Sequence, residues 1–232
     1  MNTAAFLDAF EDRFPVRTRT VPTHLYSSGL IRRLVDPCPA VRGMTAPRVQ
    51  RLLRLAVSHL PEGEAYLEVG AFQGKTLISA LRGNPRRPAY ACDNFSEFGA
   101  PSSLATLRDN LAHYGLAERV AFLNTDFREA FLGDSVTHPA GVYFYDGAHD
   151  ENSQYDGIAL AERVLADEAL VIVDDWRHAS DSGSRAETGT LRAIADSHHD
   201  WTLLLTLPAR HNGDYAMWWN GVGVLRFRRR TR

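Results

Sequence analysis

Residues 65–76 read AYLEVGAFQGKT. The apolar run 65–70 has strand character, and KTLISALRG (75–83) continues with helix-compatible spacing. An acid at the strand end, Glu68, is followed by glycines four apart, Gly70 and Gly74. Gly70 permits a tight turn, and Gly74 lets backbone approach a ligand at a helix N-terminus. Two familiar phosphate-binding patterns are excluded. GxxxxGK[ST] needs glycine where Val69 stands, and GxGxxG needs it at Phe72.

Working outward, the same alternation repeats. Val49, Leu52, Leu53, Ala56, Val57 and Leu60 follow the i, i+3, i+4, i+7 pattern, which predicts a helix over 48–60 after Pro47. AYACD (89–93), RVAFLNTD (119–126), GVYFYDGAHD (141–150) and ALVIVDD (169–175) read as further strands. Helices are expected through Leu104, Leu107 and Leu111 behind a Ser102 or Ser103 cap, through Ile158, Ala161, Val164 and Leu165, and over 185–198. WTLLLTL (201–207) and GVGVLRF (221–227) close the chain as a hairpin, joined by a loop carrying Tyr215, Trp218 and Trp219. Short strands apolar on both faces, alternating with helices, imply an α/β architecture with a mainly parallel, doubly wound sheet.

In such a sheet the site lies beyond the carboxyl ends of the strands. Here those ends carry Glu68, Asp93, Asp126, Asp146 and the pair Asp174–Asp175. Carboxylates gathered along one edge repel one another, so ligands with hydroxyls, amines or positive charge are implied. Asp93 follows Gly70 by 23 residues. An acid in that position can accept both hydroxyl hydrogen bonds of a ribose.

The Glu68, Gly70, Gly74 turn and the Asp93 acid together resemble the S-adenosylmethionine site of class I methyltransferases, with their E/DxGxxxG motif. The resemblance implies a Rossmann-like, seven-stranded methyltransferase domain over 48–232. Its cofactor contacts would come from Glu68, Gly70, Ala71, Phe72, Gly74, Thr76, Asp93, Asp126 and Asp146, with Asp126 near the adenine.

Asp146 ends the fourth strand and Asp174 and Asp175 the fifth, and these strands are neighbours in a doubly wound sheet. Three converging carboxylates need a cation or shared protons. Oxygen-only ligands favour magnesium, calcium or manganese. His149, three residues past Asp146, has a side chain suited to accepting a proton near neutrality. His178 is a weaker candidate. This second constellation is similar to the metal-dependent O-methyltransferases, in particular the macrocin-type and other sugar O-methyltransferases of natural-product pathways. It implies magnesium on Asp146, Asp174 and Asp175, His149 as base, and a hydroxylated small molecule as acceptor. Ala148 and Trp176 depart from the family pattern. A metal-independent methyltransferase of the same fold, and a non-catalytic S-adenosylmethionine-binding module, are the alternatives.

The rest of the sequence sets bounds. The 232 residues are 44% hydrophobic with net charge −2, which argues against disorder and gives no case for nucleic acid as a partner. No apolar run approaches membrane-spanning length, and the acidic start MNTAAFLDAFEDRF is unlike a secretory signal, so a cytoplasmic protein is expected. Cys38 and Cys92 suffice for neither a zinc cluster nor a disulfide framework. Residues 1–47 hold two short predicted helices, about 3–13 and 24–35. They read equally as a lid, an arm to a second copy of the chain, or a helical cap on the sheet. Lys75, the only lysine, sits in the cofactor turn and is set aside as a base.

Overall fold

Seven strands form one sheet in a computed structural model that describes residues 1–14, 33–97, 101–177 and 184–231. They are β1 (Ala65–Val69), β2 (Ala89–Cys92), β3 (Val120–Leu123), β4 (Ala140–Tyr145), β5 (Leu165–Val173), β6 (Asp200–Leu207) and β7 (Val222–Arg228). Their order is β3-β2-β1-β4-β5-β7-β6. The first five are parallel, and β7 runs antiparallel between β5 and β6. The order reverses between β1 and β4, so the carboxyl ends of those two strands open a crevice.

Helices cover both faces. They are α1 (Thr3–Arg13), α2 (Pro47–Ser58), α3 (Lys75–Leu81), α4 (Pro101–His113), α5 (Phe127–Leu132), α6 (Glu151–Ala159) and α7 (Arg185–Asp196). Alternation along the strands sorts the core into two layers. Tyr66, Val142, Phe144, Leu170 and Ile172 face Leu52, Leu53, Leu77 and Ile78 of α2 and α3. Leu67, Val69, Tyr143, Tyr145 and Val171 face Phe127, Phe131 and Ile158 of α5 and α6. Burying a large apolar side chain contributes roughly 1.5–3 kcal/mol, and both faces of every central strand collect that contribution. No helix among the described residues is long and apolar enough to cross a membrane.

The N-terminal helix belongs to the first of these layers. Thr3 donates its amide and hydroxyl to Glu168 of β5, while Phe10 stacks on Trp218 and Phe14 meets it at a tilt. The second predicted helix, 24–35, lies mostly outside the described residues, with 33–35 helical. His178 also lies outside them.

Three local expectations change. Val164 and Leu165, predicted as helix, fall in a turn and in β5, because the chain leaves α6 at Ala159 through a 3-10 turn, Ala161–Arg163. β5 therefore starts four residues before the predicted 169. A six-residue helix, α5, follows β3, capped by Asp126, whose carboxylate accepts the Arg128 amide at 2.8 Å. The fourth helix begins at Pro101, ahead of the predicted serine cap.

Candidate active site

The carboxyl ends of β1, β2, β4 and β5 surround a cavity of about 490 Å³. Its wall contains Gly70, Ala71, Phe72, Thr76, Asp93, Asp126, Asp146, His149, Asp174 and Asp175. Ten of the residues singled out from sequence are therefore brought together. Segments 42–45 and 94–97, with Asn212, Gly213, Trp219 and Asn220, are also part of the rim.

The turn after β1 is built by close approach. Gly70 has φ +88°, and a Cβ there would overlap the carbonyl oxygen of Asp146 on the neighbouring strand. Only glycine lets β1 and β4 close at this point. Gly74 also has φ +88°, and a Cβ would stand 2.8 Å from Leu107 of α4. Gly74 is absent from the cavity wall, so its service to the site is to let α4 pack against the start of α3. Asp93 ties the crevice together. Its two oxygens accept the amides of Phe72 and Phe95, each at 2.7 Å. A carboxylate has about four acceptor positions, so this one keeps capacity for two hydroxyl donors.

Glu68, expected as a cofactor contact, stands behind the wall. On β1 it shares a face with Tyr66, and it is fully buried, accepting hydrogen bonds from the Tyr66 hydroxyl and from Thr76 Oγ1. Burial raises its carboxyl from 4.5 to about 7, despite those two hydrogen bonds. The folded protein thus holds a proton that the unfolded chain gives up between pH 4.5 and 7. Stability is greatest below that window, falls as pH rises through it, and levels off above 7. A 2.5-unit difference corresponds to about 3 kcal/mol. Glu68→Gln is expected to remove this component. Urea unfolding at pH 5 and pH 8 reads it: the variant should lose less stability than the wild type on going to pH 8, and equal losses would contradict the assignment.

The β4 and β5 ends carry the remaining charge. Asp174 is 2% exposed, and its Oδ1 has no hydrogen-bond partner. Deep placement, then Asp174 and Asp175, push Asp146 well above the carboxylate range; burial and then Asp175 do the same to Asp174. Asp175 is turned differently. One oxygen lies 3.0 Å from His149 Nδ1, and the other accepts Asn220 Nδ2 at 2.7 Å. Glu97 approaches His149 Nε2 at 3.9 Å. The hydrogen bond to Asp175 raises the imidazole above its ordinary 6.5, against the opposing effect of burial. The donor chemistry of Asp146 and Asp174 suits a hard cation, because charge there is uncompensated. Asp175 is directed at His149 and Asn220 instead. Among the described residues, no three Asp, Glu, His or Cys side chains are arranged as a metal-holding group.

Four non-glycine residues among those described have positive φ: Phe72 (+43°), Phe95 (+55°), Asp175 (+53°) and Trp219 (+60°). All four line the cavity. Such conformations cost of order 1–3 kcal/mol each and concentrate where function requires them.

The rim also contains residues that motif reading passed over. Thr45 Oγ1 is buried without a partner. Lys75 Nζ donates to Asp36 Oδ2 at 2.7 Å and to the carbonyls of Cys38 and Val41 at 3.2 and 3.0 Å. The Tyr215 hydroxyl joins the same Asp36 oxygen at 3.0 Å. One carboxylate thus links the 36–41 segment, α3 and the β6–β7 loop. Burial pushes Asp36 up, but Lys75 and the other hydrogen bonds hold it below the usual range. Within that loop Trp218 is buried against Phe10 and Phe14, and Trp219 faces the cavity. Cys92 also lines it, but burial pushes the thiol up to about 12, so it is no nucleophile.

Comparison with known proteins agrees with this fold. Residues 67–176 match the family model described as a methyltransferase domain. No curated protein matches the sequence. Among solved structures, the cofactor-bound Rv0187 from MTB is similar over 97% of both chains, with 19% identity and a TM-score of 0.58. The O-methyltransferase from Bacillus cereus, in complex with SAH, shares 14% identity over 95% of this chain and 97% of that one, at TM-score 0.54. TrmN from Thermus thermophilus shares 18% identity over 86% of this chain and 53% of that one, at TM-score 0.57. At these identities the likeness establishes the fold, a Rossmann-like methyltransferase fold. The matched domain adds support for a methyltransferase.

Proposed function

We propose, from the methyltransferase domain that residues 67–176 match, that this protein transfers the methyl group of S-adenosylmethionine to a hydroxyl of a small molecule, a sugar or another natural-product intermediate. One observation carries the reading: a single cavity holds both the Gly70–Asp93 cradle and the His149–Asp175 pair. The cradle offers two hydroxyl-accepting oxygens on Asp93 and a backbone free of side chain at Gly70. The pair offers an imidazole whose Nδ1 side is held by a carboxylate. With the Nδ1 proton directed at Asp175, the Nε2 lone pair is free to take a proton.

The sulfonium donor supplies an activated methyl carbon. His149 Nε2 would accept the acceptor's hydroxyl proton, which would free the oxygen to take the methyl group that a bound donor would supply, with the neutral thioether as leaving group. Asp175 and Glu97 flank the resulting imidazolium and favour its charge. Orientation of the two reactants in the cavity supplies much of the remaining acceleration, of order 7–11 kcal/mol in well-aligned cases. The net charge of −2 supports a small molecule as partner in preference to nucleic acid.

Magnesium is the second reading, favoured by the unpartnered Asp174 Oδ1 beside Asp146. Asp146 and Asp174 would hold it, with Asp175 turned to His149 and Asn220, and a divalent ion there would polarise the acceptor oxygen.

The test uses methyl-labelled S-adenosylmethionine with a panel of sugars and phenols, on protein dialysed against EDTA and then resupplied with magnesium. The expected product is a labelled methyl ether. Failure of S-adenosylhomocysteine to bind at millimolar concentration, or label in none of the hydroxylated acceptors, would overturn the function. Turnover indifferent to EDTA removes the magnesium reading, and turnover restored only by magnesium supports it.

A further inference from the structure

Asn220 belongs to no motif and lies 45 residues from Asp175, yet both ends of its side-chain amide are fixed. Its Oδ1 accepts the Gly213 amide at 2.7 Å, and its Nδ2 donates to Asp175 Oδ1 at 2.7 Å. The first bond decides which end of the amide faces Asp175, because only the NH₂ end can then donate to the carboxylate. The other oxygen of Asp175 lies 3.0 Å from His149 Nδ1. A continuous chain runs from the Gly213 amide through Asn220 and Asp175 to the imidazole.

The backbone around this chain is strained on both sides. Asp175 and Trp219 both have positive φ without being glycine. The loop is fastened to the same stretch by two main-chain bonds: the Trp176 amide donates to Gly221 O at 3.1 Å, and the Ala209 amide to Arg177 O at 3.3 Å. Within the loop, Asp214 and Trp219 exchange backbone hydrogen bonds, and Arg210 grips Asp214 at 2.7 Å.

We infer that Asn220 is a positioning residue for His149: it holds Asp175 so that the oxygen facing the imidazole keeps the proton on Nδ1 and leaves Nε2 open to the cavity. The inference rests on the proposed function only for its purpose, since the tautomer itself is a property of the protein without ligands. Trp219, the preceding residue, lines the same cavity, so the loop that walls the cavity also sets the base.

Long-range nitrogen–proton spectra of the histidine side chains read the tautomer directly, at a pH raised until the His149 signals no longer move. The His149 signal is identified by its loss in His149→Gln. The wild type should show a protonated Nδ1 and an unprotonated Nε2. Asn220→Ala should shift this signal toward the tautomer mixture of a free imidazole, and S-adenosylhomocysteine should bind within about twofold of wild type. Asn220→Leu removes the same donor at nearly constant volume without adding charge and should shift the signal likewise, which keeps the test available if the alanine variant folds poorly. A His149 signal unchanged in a folded variant overturns the inference, whatever His149 does in turnover. Conversely, normal turnover in a His149 variant would overturn the base assignment and leave the Asn220 result standing.

Discussion

His149→Ala is expected to lower kcat by about 10²–10⁴-fold, the range that a positioned general base supplies, with S-adenosylhomocysteine affinity within about threefold of wild type. The two effects separate because the cradle and the base come from different strands. Phe72, Asp93 and Phe95 make their bonds without His149, whereas the imidazole is placed by Asp175 and Glu97. Single-turnover methyl transfer to the acceptor found in the labelling screen gives the chemical step free of product release, and calorimetry gives the affinity. Asp175→Asn should fall between the wild type and His149→Ala, because it keeps the shape but removes the charge that favours the imidazolium. A His149→Ala enzyme turning over within threefold of wild type would assign proton removal to another group.

Gly70→Ala should be severely damaging, because the added carbon meets backbone more closely than at any other described glycine. The added carbon overlaps the Asp146 carbonyl, a backbone atom on an adjacent strand that cannot rotate away. Positive φ adds strain of order 1 kcal/mol or more, and overpacking a closed site adds roughly 1–3 kcal/mol. The combined loss should exceed about 3 kcal/mol, which for a chain of this size lowers Tm by roughly 10 °C. Cofactor affinity should drop by more than 100-fold, because separating β1 from β4 widens the crevice. Gly63→Ala is the control. Gly63 has nearly the same φ, +85°, but nothing within 4 Å of the added carbon. It should cost about 1 kcal/mol and leave binding intact. Equal behaviour of the two variants, read by thermal unfolding and calorimetry, would reduce the Gly70 effect to φ alone.

What the sequence discloses depends on how local its cause is. The β1–α3 turn is legible because Gly70, Gly74 and the flanking apolar runs lie within a dozen residues. The acids at the strand ends are legible because a parallel sheet sends all those ends to one edge. Glu68 is harder: strand alternation turns it toward α3, where Thr76 meets it, so an acid from the motif ends up supporting the wall from behind. The start of β5 is hidden for a different reason. Asp167 and Glu168 interrupt its apolar run, and their partners Arg229, Arg228 and Thr3 arrive from the far ends of the chain. At six residues, α5 is too short for periodicity to show. Asn220 is illegible because its meaning lies wholly in its contact with Asp175.

A chain with a single lysine gains an unplanned reporter from the way that lysine is stored. Lys75 is 8% exposed, and its ammonium is occupied by Asp36, Cys38 and Val41. An acylating reagent can react there only in the moments when 36–41 lifts from α3. Peptide-mapped acylation of Lys75 would therefore act as a clock for that opening, and a ligand that draws the segment down would slow it.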